Sequence, residues 1–129
     1  MSHFTTIKTK IKNKPQLVEA LELLQYNVIE DQELKVTGAH GIKHEVVEAE
    51  VAITNDIGFR MDPRTGEYEL VADLETWKQP ISVDRFIDKV TQQYARMTIH
   101  NTIKEQGFEV EEEWEMDDNS IELIVTRWV

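Results

Sequence analysis

Apolar residues follow two periodicities along this chain, and the changes from one to the other mark its elements. Between Phe4 and Lys12, Ile7, Thr9 and Ile11 share one face against Thr6, Lys8, Lys10 and Lys12, which predicts a half-buried strand with lysine on its wet side. Leu17, Leu21 and Leu24, joined by Val18, then recur at helical spacing behind Asn13, a capping residue type, and Pro15, tolerated where first-turn amides lack intrahelical partners. This predicts a first helix ending near Tyr26. Val28 to Glu30 and Glu33 to Val36 read as short or interrupted strands, punctuated by Gly38-Ala39-His40-Gly41. From Glu45 to Thr54, Val47, Ala49, Val51 and Ile53 share one face and Glu48, Glu50 and Ala52 the other, a clearer strand.

A hairpin follows: Ile57, Phe59 and Met61 alternate with Gly58 and Arg60, and Asp62-Pro63-Arg64-Thr65-Gly66 supplies a turn. Tyr68, Leu70, Ala72 and Leu74 then resume the alternation. Ser82, with Asp84 behind it, opens a second helix from about Val83 to Gln106, whose apolar positions are Val83, Phe86, Ile87, Val90, Tyr94 and Met97, continued by Ile99 and Ile103. Gly107 is placed to take the left-handed position that ends it, letting Phe108 touch Ile103. A last hairpin runs through Phe108, Val110, Glu112 and Trp114, alternating with Glu109, Glu111 and Glu113, turns at Asp117-Asp118-Asn119-Ser120 and returns from Ile121 to Trp128. The order strand, helix, several strands, long helix, two strands implies an α+β domain: two layers, a mainly antiparallel sheet with two helices packed on one face.

Composition narrows the function classes. The 129 residues suit a single α+β domain, residues 1–129, and 40% apolar with 30% charged residues is globular composition. With no cysteine there is no disulfide, thiolate nucleophile or thiolate metal site. The polar start and the lack of a long apolar run argue against a secretory signal and a membrane span, leaving the cytoplasm, or an organelle stroma, as the expected place. A net charge of −11 repels phosphate backbones, so no nucleic-acid partner is expected.

Candidate chemistry is sparse. Of His3, His40, His44 and His100, only His40 and His44 have ligand-like spacing, a weak metal candidate that distant carboxylates would have to complete. Ser2, Ser82 and Ser120 sit at a terminus, a cap and a turn, and neither a Walker A sequence nor GxGxxG occurs. No catalytic residue and no cofactor is predicted. Seven of the ten residues from Glu109 to Asp118 are acidic. With Glu109, Glu111 and Glu113 on one strand face, this run reads as a solvated guard against edge pairing, a docking strip for a basic partner, or a hard-cation site, although it lacks the glycine and ligand pattern of an EF-hand loop. Were the hairpin to neighbour the first strand, Lys8, Lys10 and Lys12 would meet those glutamates across the sheet. Of the three tryptophans, Trp77 lies outside the helical and strand periodicities and is the candidate interface residue.

Several landmarks together resemble a known family: the start Met1-Ser2-His3-Phe4 with Ile7-Lys8-Thr9, then Asp56-Ile57-Gly58-Phe59, Tyr68 to Asp73, Gln92-Gln93-Tyr94, Gln106-Gly107-Phe108 and Arg127-Trp128. Over nearly its whole length the chain resembles the hypothetical chloroplast reading frame thirty-five family, an uncharacterised domain-of-unknown-function family of cyanobacteria, cyanophages and algal plastids. It departs from that pattern at Val36-Thr37-Gly38-Ala39-His40-Gly41, where an arginine before the first glycine and an aromatic after it are expected. The resemblance implies an oxygenic phototroph or its phage as source and supplies no catalytic residues.

The expected function is therefore a non-enzymatic accessory or regulatory protein that docks on a protein partner, with Trp77, Glu109, Glu111 and Glu113 as binding candidates. The alternative is a small-molecule or metal binder, or an enzyme, using a histidine and carboxylate pocket. A lesser alternative is an acidic mimic of nucleic acid. A free edge strand would also support a homodimer.

Overall fold

The computed structural model describes residues 3–37, 43–118 and 120–127, with the backbone alone at 36, 37, 43 and 44. The alternating segments form strands β1 (Phe4–Lys8), β2 (Ile29–Thr37), β3 (Lys43–Ala52), β4 (Ile57–Met61), β5 (Tyr68–Asp73), β6 (Phe108–Glu115) and β7 (Ile121–Arg127). The helical segments form α1 (Lys14–Leu23) and α2 (Val83–Glu105). Five strands make an antiparallel sheet in the order β1-β5-β4-β3-β2, while β6 and β7 pair as a separate two-stranded sheet. This is the α+β, mainly antiparallel architecture that the hydrophobic pattern implies.

Local chemistry sets the element ends. The Gln16 N–H donates to Asn13 Oδ1 at 3.0 Å, satisfying an amide that the start of α1 leaves without an intrahelical acceptor. Ser82 Oγ does the same for Arg85 N–H at 3.3 Å. Gly107 ends α2 at φ 84°, a left-handed conformation that glycine adopts without a Cβ clash. In the β4–β5 turn Gly66 has φ 72° and its N–H donates to Asp62 O at 2.8 Å. Asp62 Oδ1 accepts the Arg64 N–H at 2.9 Å, and that bond holds the Asp62 carboxyl below the ordinary carboxylate range.

Leu17 and Leu21 of α1 and Phe86 and Val90 of α2 pack on Val51, Ile57, Phe59, Tyr68, Leu70 and Ala72, so both helices cover one face of the sheet. Phe86 is the hub, with the Tyr26 ring edge-on at 5.3 Å, Trp77 edge-on at 5.5 Å and Phe59 stacked at 6.2 Å. None of the described helices is long and apolar enough to cross a membrane.

The opposite face carries a second cluster, Leu34, Ala49, Ala52 and Val71, with Phe4 and Val47 against it. Here the expected single face for Val47, Ala49, Val51 and Ile53 is corrected: Val47 and Ala49 join this cluster, whereas Val51 and Ile53 pack with the helices. The reason is a bend. β3 pairs with β4 only at Val51↔Phe59 and Ala52↔Gly58, after which Glu50 Oε2 takes the Met61 N–H at 2.8 Å. Across from Glu50, Asp31 has φ 54°, which also explains why β2 reads as two fragments although it is one strand. Bent there, the β2–β3 arm curls over the sheet until Lys35 N–H reaches Asn55 O at 2.8 Å and Glu45 Oε1 accepts the Phe4 N–H at 2.7 Å. Gly58 permits this closeness, since a Cβ there would lie 3.0 Å from Ala49 Cβ and 3.1 Å from Leu34 Cδ1.

A second correction concerns the lysines. β1 pairs with β5, and the hairpin glutamates lie in the other sheet, so Lys8, Lys10 and Lys12 do not face them across a ladder. The hairpin follows directly on α2 and packs on that helix instead.

Candidate functional site

The β6–β7 hairpin holds the greatest concentration of exposed chemistry in the described chain. Its register pairs Phe108 with Arg127 and Val110 with Val125, then slips by one residue so that Glu113 faces Leu123 and Glu115 faces Ile121. The extra residue, Glu111, is a bulge, and a bulge exchanges the faces of every residue beyond it. Phe108, Val110, Glu113 and Glu115 therefore share the inner face, and Glu109, Glu112 and Trp114 the outer one. The expected common face of Glu109, Glu111 and Glu113 is thereby broken: Glu109 and Glu111 are exposed, and Glu113 turns inward.

The inner face is an ionic clamp on α2. The Glu113 carboxylate takes Arg96 through Oε1 and His100 through Oε2, with its side chain only 17% exposed. Because a carboxylate only accepts, His100 Nε2 carries the hydrogen that faces it. Glu115 lines a shallow groove of about 250 Å³ together with Arg85, Asp88, Lys89 and Gln92 of α2. At the other end, an open groove of about 450 Å³ has an apolar side of Ile103, Phe108 and Val110 and a polar side that includes His100, Asn101 and Lys104. The Arg127 guanidinium covers the Phe108 ring at 5.1 Å. In the β6–β7 turn, Ser120 Oγ and N–H both donate to Asp118 Oδ1, at 2.5 and 3.0 Å, and these bonds lower the Asp118 pKa.

The outer face is a checkerboard. Trp114 lies across from Glu122, and Glu112 across from Ile124, so the two apolar side chains occupy one diagonal and the two carboxylates the other. Diagonal neighbours of this kind stand about 7–8 Å apart at Cα, within reach of an indole. Trp114 is 41% exposed and Ile124 43%, so two large apolar side chains stand open as diagonal neighbours on one sheet face.

Trp77 sits in a different packing unit. Half-buried at the edge of the helix–sheet core, it donates its indole N–H to Ile81 O at 2.8 Å. His40 and the rest of the departing loop lie outside the described residues, as does the His44 side chain; His3 is exposed and His100 is engaged by Glu113. Among the described residues, no three His, Asp or Glu side chains converge as a metal ion requires. The Asp56 and Asp73 carboxylates share one hydroxyl, Thr76 Oγ1, at 2.8 and 3.1 Å. Asp56 also accepts from Thr54 Oγ1 and Asp73 from Glu75 N–H, so the pair ties the β3–β4 loop to the start of the β5–α2 connection.

Residues 20–124 match the family model described as protein of unknown function, DUF1257. The chain belongs to the DUF1257 family. Curated relatives of this DUF1257 chain include the uncharacterized protein ycf35 of Pyropia yezoensis, 37% identical over 99% of this chain and 98% of the relative. The ycf35 proteins of Cyanophora paradoxa and Guillardia theta are 36% and 35% identical over the same shares. The resemblance read from the landmark residues is thus established. No solved structure matches the chain.

For this DUF1257 chain, sequence reasoning missed Arg96 and His100 as the partners of the acidic hairpin. A signal was present: Arg85, Lys89, Gln92, Arg96, His100 and Ile103 recur at helical spacing, a second stripe beside the apolar one on α2. That stripe carries Arg85, Lys89 and Arg96 immediately before an acidic strand, so a hairpin folding back on α2 brings opposite charges together.

Proposed function

We propose that this DUF1257 protein is a non-enzymatic accessory or regulatory protein of an oxygenic phototroph or its phage, docking on a protein partner through the outer face of the β6–β7 hairpin. The observation that carries the reading is the Trp114–Ile124 diagonal. Tryptophan and aliphatic anchors ringed by polar groups are the anatomy of an interface centre, and a lone two-stranded hairpin has no structural need of apolar side chains on its solvent face. Glu109 and Glu111 flank this face, and Glu113 serves it from beneath by fastening the hairpin to α2. Trp77 contributes through the core that carries α2 and is the secondary candidate for contact. The cytoplasm, or the stroma where the chain is organelle-encoded, is the compartment proposed for it.

The test is capture of partners from a native phototroph lysate with an internally tagged protein at low and moderate salt, followed by mass spectrometry. We expect a stoichiometric protein that Trp114→Ser with Ile124→Ser releases. A partner retained by that double variant would remove this face from the reading, and capture of none would remove the reading itself. The groove lined by His100, Asn101, Lys104, Ile103 and Phe108 favours a second reading, a small amphipathic ligand. Mass spectrometry of the purified protein and ligand-dependent melting shifts test it.

A further inference from the structure

Resting on the docking reading above, we infer that the occupant of the hairpin's outer face is a basic segment of another protein, presenting apolar side chains about 7 Å apart with Lys or Arg beside them. The pattern of the face sets both requirements. Glu112 and Glu122 occupy the diagonal that crosses Trp114 and Ile124, so an apolar side chain seated on the indole and the isoleucine brings its neighbours over two carboxylates. A neutral segment would bury those charges without compensation, which costs more than its apolar contacts return. Residues 109–122 hold eight acidic side chains and no Lys or Arg, and the whole chain carries −11.

That same count decides among occupants. A second copy of this chain laid face to face would set Glu112 and Glu122 against their own counterparts, and like charges in juxtaposition are a strong bar to pairing. Nucleic acid and anionic lipid surfaces are repelled by the same sign. The inner face sharpens the division, because Glu113 is already matched with Arg96 and His100 of α2, whereas the cross-strand neighbours of Glu112 and Glu122 are Ile124 and Trp114. A basic segment supplies on the outer face what α2 supplies on the inner one.

The test uses the full chain and three labelled amphipathic peptides of about 14 residues, each with leucine at helical spacing and with lysine, glutamine or glutamate at every other position. Fluorescence anisotropy at low and at about 150 mM salt reads the binding. The lysine peptide is expected to bind with a clear loss of affinity as salt rises. Trp114→Ser with Ile124→Ser, and separately Glu112→Lys with Glu122→Lys, should each weaken it about tenfold or more. A charge-matched control on α1, Glu19→Lys with Glu22→Lys, alters exposed carboxylates away from the hairpin and should leave affinity within about twofold. Equal weakening by the control would mean attraction to net charge alone and overturn the inference. Equal binding of glutamine and lysine peptides would overturn it while leaving the docking reading standing. Wild-type protein that sediments as a dimer and is made monomeric by Ile124→Ser would assign the face to self-association and overturn it as well. All substituted side chains are exposed, and unchanged circular dichroism and melting confirm that the variants fold.

Discussion

Replacing Gly58 by alanine places a methyl carbon 2.8 Å from the Val51 carbonyl oxygen, 3.0 Å from Ala49 Cβ and 3.1 Å from Leu34 Cδ1. Of these three, only Leu34 can turn aside. The Val51 oxygen and Ala49 Cβ are fixed to β3 at the point where it bends away from β4, so the strands themselves must part by several tenths of an ångström. Overpacking of a closed core costs about 1–3 kcal/mol, and loss of glycine's freedom in the unfolded chain returns about 0.4–1 kcal/mol. The net expectation is a destabilisation of about 1–2 kcal/mol. With a urea slope of about 1–3 kcal/mol per molar, the unfolding midpoint should fall by roughly 0.3–2 M with little change in slope. Gly66→Ala is the control: nothing lies within 4 Å of its Cβ and the residue has φ 72°, so only backbone strain of about 1–2 kcal/mol is at issue. Crowding and strain separate when Leu34→Ala is added, since coupling is expected with Gly58→Ala and none with Gly66→Ala. A Gly58→Ala protein as stable as wild type would refute the folding of the β2–β3 arm over the sheet.

Other consequences are as direct. Glu113→Ala leaves Arg96 and His100 without their shared carboxylate, and hydrogen exchange should show β6 and β7 amides losing about 1–2 kcal/mol of protection while the five-stranded sheet keeps its own; uniform loss, or none, would contradict the clamp. Asp62 has its pKa lowered by the Arg64 N–H, so its contribution is present above the unfolded carboxylate value of about 3.9 and lost as pH falls through the lower folded value. Asp62→Asn should accordingly shrink the drop in urea midpoint between about pH 7 and about pH 3, and an unchanged drop would mean that the turn bond is absent. Asn13→Ala removes the acceptor for Gln16 N–H and should cost about 0.5–2 kcal/mol in thermal or urea unfolding, against almost nothing for Asn13→Asp.

How far the chain could be read beforehand follows from how local each interaction is. Both helices, their Asn13 and Ser82 caps, the Gly107 stop and the Gly66 turn depend on residues within a few positions of one another, and periodicity with capping chemistry was enough to place them. The β4–β5 hairpin and the α+β class follow for the same reason. The β2–β3 arm does not, because its bend at Asp31 and Glu50 is held by distant partners: Met61 N–H on Glu50, Phe4 N–H on Glu45 and Lys35 N–H on Asn55. Alternation assigns a face only while the strand stays straight, so Val47 and Val51 ended on opposite sides of the sheet.

The hairpin shows the same division more sharply. Its acidity, its tryptophan and its turn are plain in the linear order of residues, and so is the cation-bearing stripe on α2. One bulge at Glu111 then decides which carboxylates are spent on Arg96 and His100 and which remain outside with Trp114 and Ile124. A bulge adds a single residue to one strand and leaves no signature in composition or period. It is chosen by the docking of Phe108, Val110 and Glu113 against α2, which exists only once the chain has folded.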